Sequence, residues 1–226
     1  MIATYILRHN SWSAYKLHEN TLDNLLRGKI FLVILDQRED NFFEVESLDI
    51  KEDLLILVIR ASNRKSGKSN QMIDRILKDL NQAYKTYDLN QMKLKGCTGC
   101  GACKKMDDFC VIQDDLKAFF DDLKTADRVI FGSPNFMGTI NGQMKMVYDR
   151  LFCLTHGEKK HKISHLKAGA LVMGQGYEDK AYYKEAYNKL VEGMAYLLNS
   201  PLELMVCTKP QGEDQADFRA FMEKIK

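Results

Sequence analysis

Asp53-Leu54-Leu55-Ile56-Leu57-Val58-Ile59-Arg60 runs directly into Ala61-Ser62-Asn63-Arg64-Lys65-Ser66-Gly67-Lys68-Ser69-Asn70. The first segment is almost wholly apolar, as a parallel strand buried on both faces requires. Beyond Asn70, the residues Met72, Ile73, Ile76, Leu77 and Leu80 recur at helical spacing. Strand, polar loop and helix in this order make a phosphate-binding arrangement. Free N–H groups at the helix start and the hydroxyls of Ser62, Ser66 and Ser69 converge on one anion, and Arg64 adds charge. Gly67 and Asn70 belong to the same candidate loop. Gly67-Lys68-Ser69 also has the tail of a nucleoside-triphosphate loop, but that pattern wants Gly where Ser62 stands. It further wants an apolar strand ending in Asp to hold magnesium, and the clear candidate, Phe31–Asp36, precedes the loop. A phosphomonoester held without metal suits the loop better, with an ordinary Ser-rich connection as the plain alternative.

Downstream, Tyr84–Leu89, Asp127–Gly132, Ala168–Met173 and Leu202–Cys207 read as further strands. They alternate with helices at Asp114–Leu123, Ala181–Leu198 and Asp217–Ile225. Pro134 is expected to end the third strand, since it lacks a ladder donor. Ser133-Pro134-Asn135-Phe136-Met137-Gly138 then forms a loop at a strand's carboxyl end. If this strand neighbours the first, both loops open into one crevice at the topological switch point. Gly174-Gln175-Gly176 ends the fourth strand and reads as a third loop or as a simple turn.

Cys97-Thr98-Gly99-Cys100-Gly101-Ala102-Cys103, followed by Cys110, gathers four of the six cysteines into one loop. Thiolates at i, i+3 and i+6 on a glycine-freed chain can wrap one face of an iron–sulfur cubane, and Cys110 is near enough to close the site. A zinc site usually takes a second, distant Cys-x-x-Cys pair, which is missing. A disulfide framework suits small secreted domains, and unliganded surface thiols remain the plain alternative. Asp114 or Asp115 would cap the helix that follows. Cys153 and Cys207 stand in apolar contexts and read as packed thiols.

The chain has 226 residues, 45% of them hydrophobic, enough for one large α/β domain with an appendage. A net charge of +2 argues against a nucleic-acid partner. No apolar run reaches spanning length, so no membrane partner is expected and a soluble protein of a reducing compartment, the cytoplasm, fits best. Residues 1–52 read as a small βαβ-like appendage, with strands at Ala3–Leu7 and Ile30–Leu35 and a helical pattern through Leu17, Leu22, Leu25 and Leu26. The charged run Gln37–Asn41 marks a turn after it, and residues 53–226 form the main domain. Thr155–His165 is dense in Lys and His and reads as a solvated loop, with attraction of nicotinamide-nucleotide phosphates as a further reading.

Three features occur in order: Ser62–Ser69 after a buried strand, Cys97–Cys110 leading into Val111-Ile112-Gln113-Asp114-Asp115, and Ser133-Pro134-Asn135-Phe136 followed by Gly142-Gln143-Met144-Lys145 and Asp149-Arg150. Together they resemble the flavodoxin-like NAD(P)H-dependent FMN reductases, in particular the iron–sulfur flavoprotein branch, over about Leu54 to Thr208. The resemblance implies a flavodoxin-like, doubly wound, five-stranded parallel α/β sheet of order 2-1-3-4-5 binding FMN at its carboxyl ends. By position, Ser62, Arg64, Gly67 and Ser69 would hold the FMN phosphate. Pro134, Asn135, Phe136 and Met137 would line the isoalloxazine, with Gly174, Gln175 and Gly176 as the third flavin loop. Lys68 stands where the family commonly has Asn. Lys145 and Asp149, four apart on a helix, read as an exposed ion pair.

The implied activity is electron transfer between NAD(P)H or a ferredoxin-like one-electron carrier and a small acceptor such as a quinone or flavin. A [4Fe-4S] cluster on Cys97, Cys100, Cys103 and Cys110 would serve as relay, and a homodimer or homotetramer is implied. A non-catalytic flavin electron carrier and a P-loop-like nucleotide hydrolase are the rival classes.

Overall fold

The computed structural model describes residues 55–156, 162–208 and 215–226, together with four short strands nearer the amino terminus. The chain divides into two compact units, Met1–Asp53 and Leu54–Lys226. In the first, β1 (Tyr5–Arg8) pairs antiparallel with β2 (Ser11–Ala14), and β3 (Val33–Leu35) pairs antiparallel with β4 (Phe42–Glu44). The described pairings are thus ribbons, not the parallel pair of a βαβ unit. The helical pattern at Leu17–Leu26 and the charged run Gln37–Asn41 lie outside the described residues.

The second unit is built on a sheet whose parallel strands are β5 (Ile56–Arg60), β6 (Tyr84–Asp88), β7 (Arg128–Phe136), β9 (Ala168–Gly174) and β10 (Leu202–Cys207). Their spatial order is β6-β5-β7-β9-β10, the 2-1-3-4-5 order expected for a flavodoxin-like fold. A short β8 (Thr139–Ile140) folds back antiparallel on the end of β7.

The α-helices among the described residues of this unit are α1 (Lys68–Leu80), α2 (Leu116–Asp122), α3 (Gly142–Leu151), α4 (Lys184–Leu198) and α5 (Gln215–Ile225). Because successive strand residues face opposite sides, the apolar run of β5 supplies two cores at once. Leu57 and Ile59 join one with α2, α3 and α4, while Ile56 and Val58 join the other with α1 and α5. All four are fully buried, each stabilising the fold by on the order of 2 kcal/mol.

Pro134 does not end the third strand. β7 continues to Phe136, pairing with β9 as far as Pro134 opposite Gly174. Its pairing with β5 stops earlier, at Gly132 opposite Arg60. Beyond Gly132 one edge of β7 has no parallel neighbour, and there a residue without a donor is tolerated. Phe136 and Thr139 then pair across Met137 and Gly138, both at positive φ (53° and 83°), as a tight two-residue hairpin demands.

Candidate functional site

The carboxyl ends of β5, β7 and β9 deliver three loops to one cleft, with a cavity of ≈ 360 Å³. Ser62, Arg64, Gly67, Ser69, Pro134, Asn135, Phe136, Gly174, Gln175 and Gly176, all read from the sequence, line it. Ser66, Asn70 and Met137 do not. The exposed Ser66 offers its carbonyl to Gln71 Nε2 at 2.6 Å. Asn70 is buried and braces the loop, its Nδ2 donating to the Arg64 carbonyl at 2.9 Å. Met137, at the hairpin tip, is 97% exposed.

At the start of α1 the N-cap is Gly67, and no side chain caps the helix. The first-turn N–H groups, with the positive end of the helix dipole, therefore meet whatever enters the cleft. Ser69 is 1% exposed and its Oγ has no partner among the described residues. An orphaned buried hydroxyl costs about 1–3 kcal/mol, so it points to a missing acceptor. Arg64 and Lys68 bring positive charge, and no carboxylate is among the described lining residues. A Cβ on Gly174 would come within 2.6 Å of the Ser69 nitrogen, so only glycine lets β9 pass the helix start this closely.

Asn141, which sequence reasoning missed, knits the loops together. Its N–H donates to Ser133 Oγ at 3.0 Å, its Nδ2 to the Ala61 carbonyl at 2.8 Å, and its Oδ1 caps α3 through Met144 N–H at 3.1 Å. The signal was an Asn immediately before an amphipathic helix. Tyr187, also missed, is fully buried and donates to Gln175 Oε1 at 2.9 Å. Burial foremost, with Tyr183 beside it, pushes its phenol up to about 12, so it remains a donor.

The cysteine loop forms a second cavity, of ≈ 140 Å³, lined by Cys97, Cys100, Cys103 and Cys110 together with Cys153 and Arg150. All six cysteines are free of disulfides. Gly99 and Gly101 both adopt φ of 66°, bending the chain around the cavity. The exposed Cys100 thiol is held below the usual range by the Ala102 N–H and then the Thr98 hydroxyl, which favours thiolate. Among the described residues no three His, Cys, Asp or Glu side chains are arranged to hold a single metal ion; the thiols instead stand around the cavity wall. Asp114 and Asp115 act chiefly on the segment before the loop, accepting from Lys95 N–H at 2.8 Å and Lys93 N–H at 2.7 Å. Asp115 is the N-cap of α2 but its side chain makes no capping hydrogen bond, and Asp114 Oδ1 accepts only from Leu116 N–H, at 3.2 Å. Lys145 and Asp149 pair on the exposed side of α3. Within the Lys- and His-rich run Thr155–His165, residues 157–161 lie outside the described residues.

Residues 54–181, spanning the first two cleft loops, the cysteine loop and the third cleft loop, match the family described as NADPH-dependent FMN reductase. The chain belongs to the NADPH-dependent FMN reductase family. It is 32% identical over 89 residues to an iron-sulfur flavoprotein of Methanosarcina thermophila, covering 39% of this chain and 45% of the relative. It is also 32% identical over 103 residues to one of Clostridioides difficile, covering 43% and 45%. The chain thus spans somewhat under half the length of these curated relatives. Among solved structures it is similar to the Trp repressor binding protein of Bacillus subtilis, with TM-score 0.52 and 13% identity over 74% of this chain and 96% of that one. A second likeness is to the NAD(P)H:quinone oxidoreductase of Methanothermobacter marburgensis, with TM-score 0.50 and 12% identity over 76% and 92%. At these identities the likeness is one of fold. As for membranes, no described helix is long and apolar enough to cross one.

The cleft of this FMN reductase family member fits FMN in its chemistry: the buried Ser69 hydroxyl has no partner among the described residues, the helix start has no side-chain cap, and Arg64 and Lys68 carry positive charge. The cysteine cavity fits a cluster in donor type. A cubane takes each thiolate on a different iron, so its donors surround a space and do not meet at a point.

Proposed function

We propose that the protein is an FMN-dependent oxidoreductase. It passes electrons between a reduced nicotinamide nucleotide, NADH or NADPH, or a ferredoxin-like one-electron carrier, and a small acceptor such as a quinone or flavin. The four-cysteine loop holds a [4Fe-4S] cluster as a second redox site. When bound, FMN supplies reversible two-electron or one-electron chemistry and the cluster supplies single electrons.

The observation that carries the reading is the convergence of three loops on a cleft whose deepest hydroxyl, Ser69 Oγ, is buried without a partner. Ser62, Ser69, Arg64 and the start of α1 bind the phosphate. The backbone of Pro134–Phe136 and of Gly174–Gly176 orients the ring system, and glycine permits its close approach. Phe136, 57% exposed at the cleft wall, offers an apolar face that shields the ring from water. A magnesium-dependent nucleotide hydrolase is disfavoured, since no carboxylate among the described residues lines the cleft to hold the metal. Function as a homodimer or homotetramer is part of the same proposal.

Stopped-flow mixing of the FMN-loaded protein with NADPH, and separately with NADH, tests the reductase reading. Bleaching of the flavin absorbance by either nucleotide is expected. Retention of FMN with no reduction by either would contradict it and leave an electron carrier.

A further inference from the structure

Arg150, in the last turn of α3, is 1% exposed and the largest fully buried side chain among the described residues. A buried guanidinium costs several kcal/mol unless its donors are matched. Its matches share one address. Nη1 donates to Asp114 Oδ2 at 2.5 Å and to the Lys95 carbonyl at 3.4 Å, and Nη2 donates to the Ile112 carbonyl at 3.2 Å. Lys95 stands two residues before Cys97, and Ile112 stands two residues after Cys110. Asp114 repeats the connection, accepting from Lys95 N–H through the same Oδ2. Both ends of the cysteine loop are therefore gathered on one side chain, while the loop itself contains a single 3₁₀ turn, Ala102–Lys104, as regular structure.

The charge is placed as pointedly as the hydrogen bonds. Arg150 lies in the wall of the cavity that the four thiols line. Its Nε is buried with no partner among the described residues. Asp114 balances the charge of the buried pair, while Nε keeps one donor of the guanidinium without a partner among the described residues. Four thiolates around a cubane carry net negative charge, and a neighbouring cation with a donor to spare stabilises such a group.

We propose that Arg150 is a positioning residue for the cysteine loop. It clasps both ends of the loop to α3 and sets a buried positive charge beside the thiols, so that the cavity is preset for an anionic iron–sulfur cluster. This rests on the reading of that loop as a cluster site. A cation there favours the more negative, reduced state, so it also raises the cluster's reduction potential.

The test compares Arg150→Met and Arg150→Lys with the unaltered chain, each reconstituted with ferrous iron and sulfide without oxygen. Three quantities are read: iron bound per chain, midpoint potential, and amide hydrogen exchange over residues 96–113 before iron is added. FMN affinity serves as the folding control. In Arg150→Met, iron affinity is expected to fall about tenfold or more and the loop to exchange about tenfold faster. Any iron centre that still forms there should have a lower potential than in Arg150→Lys, which keeps the charge but not the forked geometry. Equal iron uptake, potential and exchange in all three chains would overturn the proposal and leave the cluster reading intact. If the unaltered chain takes up no iron, the cluster reading fails, and unchanged exchange in Arg150→Met would then remove the clasp as well. Should Arg150→Met not fold, Arg150→Lys decides the clasp, since faster loop exchange supports it and unchanged exchange refutes it.

Discussion

Lys68 Nζ donates to the Gln175 carbonyl at 2.9 Å, joining the first cleft loop to the third across 107 residues of sequence. This bond is the structural role of Lys68. Gln175 is otherwise fully engaged. Its N–H donates to the Cys207 carbonyl at 3.0 Å, its Nε2 to the carbonyls of Tyr177 and Asp179, and its Oε1 accepts from Tyr187. What this loop offers a ligand is therefore mainly glycine backbone, held in place by a lysine and a buried phenol.

Lys68→Met removes both the tie and one of two cleft cations. FMN affinity measured by fluorescence titration is expected to fall about tenfold, near 1.4 kcal/mol. Unchanged affinity would show that the tie does not matter to the ligand.

Ser69→Ala should act with opposite signs on the empty and loaded protein. Removing an orphaned buried hydroxyl is expected to stabilise the FMN-free fold by about 1 kcal/mol, while losing a phosphate contact weakens FMN binding by about 1 kcal/mol. Denaturant unfolding with and without FMN reads both. A loss of stability without FMN would mean that the hydroxyl is already satisfied.

Four of the five parallel strands were legible as short, mostly apolar runs, β5 being apolar on both faces, whereas the edge strand β6 (Tyr84–Asp88) is largely polar and exposed. Ser62, Ser69 and Gly67 were legible because a hydroxyl-rich loop between a buried strand and an amphipathic helix has few other uses. Pro134 misled, since its missing donor matters only where a strand has neighbours on both sides, and β5 has already ended there. Tyr187 and the loop-joining bonds of Asn141 and Lys68 were not legible, because those partners lie 8 to 107 residues away and no local pattern encodes such pairings. Gly174 was read as part of a third loop or a simple turn; the structure supplies a reason for glycine there, the close passage of the Ser69 nitrogen.

Gly174→Ala accordingly drives a Cβ into the start of α1. The backbone there cannot yield as a flexible side chain would, so a loss of about 1–3 kcal/mol in stability is expected. FMN binding should weaken with it. A Tm equal to that of the unaltered chain would place the helix start farther from β9 than described.

Cys207 supplies a pH dependence. Burial foremost, opposed only partly by Lys68 and two other cations, pushes its thiol from about 9 up to about 11. The folded state thus keeps a proton that the unfolded state releases, so this contribution is whole below pH 9 and is lost as pH rises towards 11. Between those values the unaltered chain should lose about 2 kcal/mol more stability than Cys207→Ala. Equal losses would mean that the thiol ionises as freely folded as unfolded.

The most direct measurement is the visible spectrum of protein purified without oxygen, taken before and after reduction and followed by titration with FMN. Flavin bands over a broad background that bleaches on reduction are expected, with Ser69→Ala weakening only the flavin component and Cys100→Ser removing only the background. A colourless protein that takes up no FMN would contradict the assignment of the three-loop cleft.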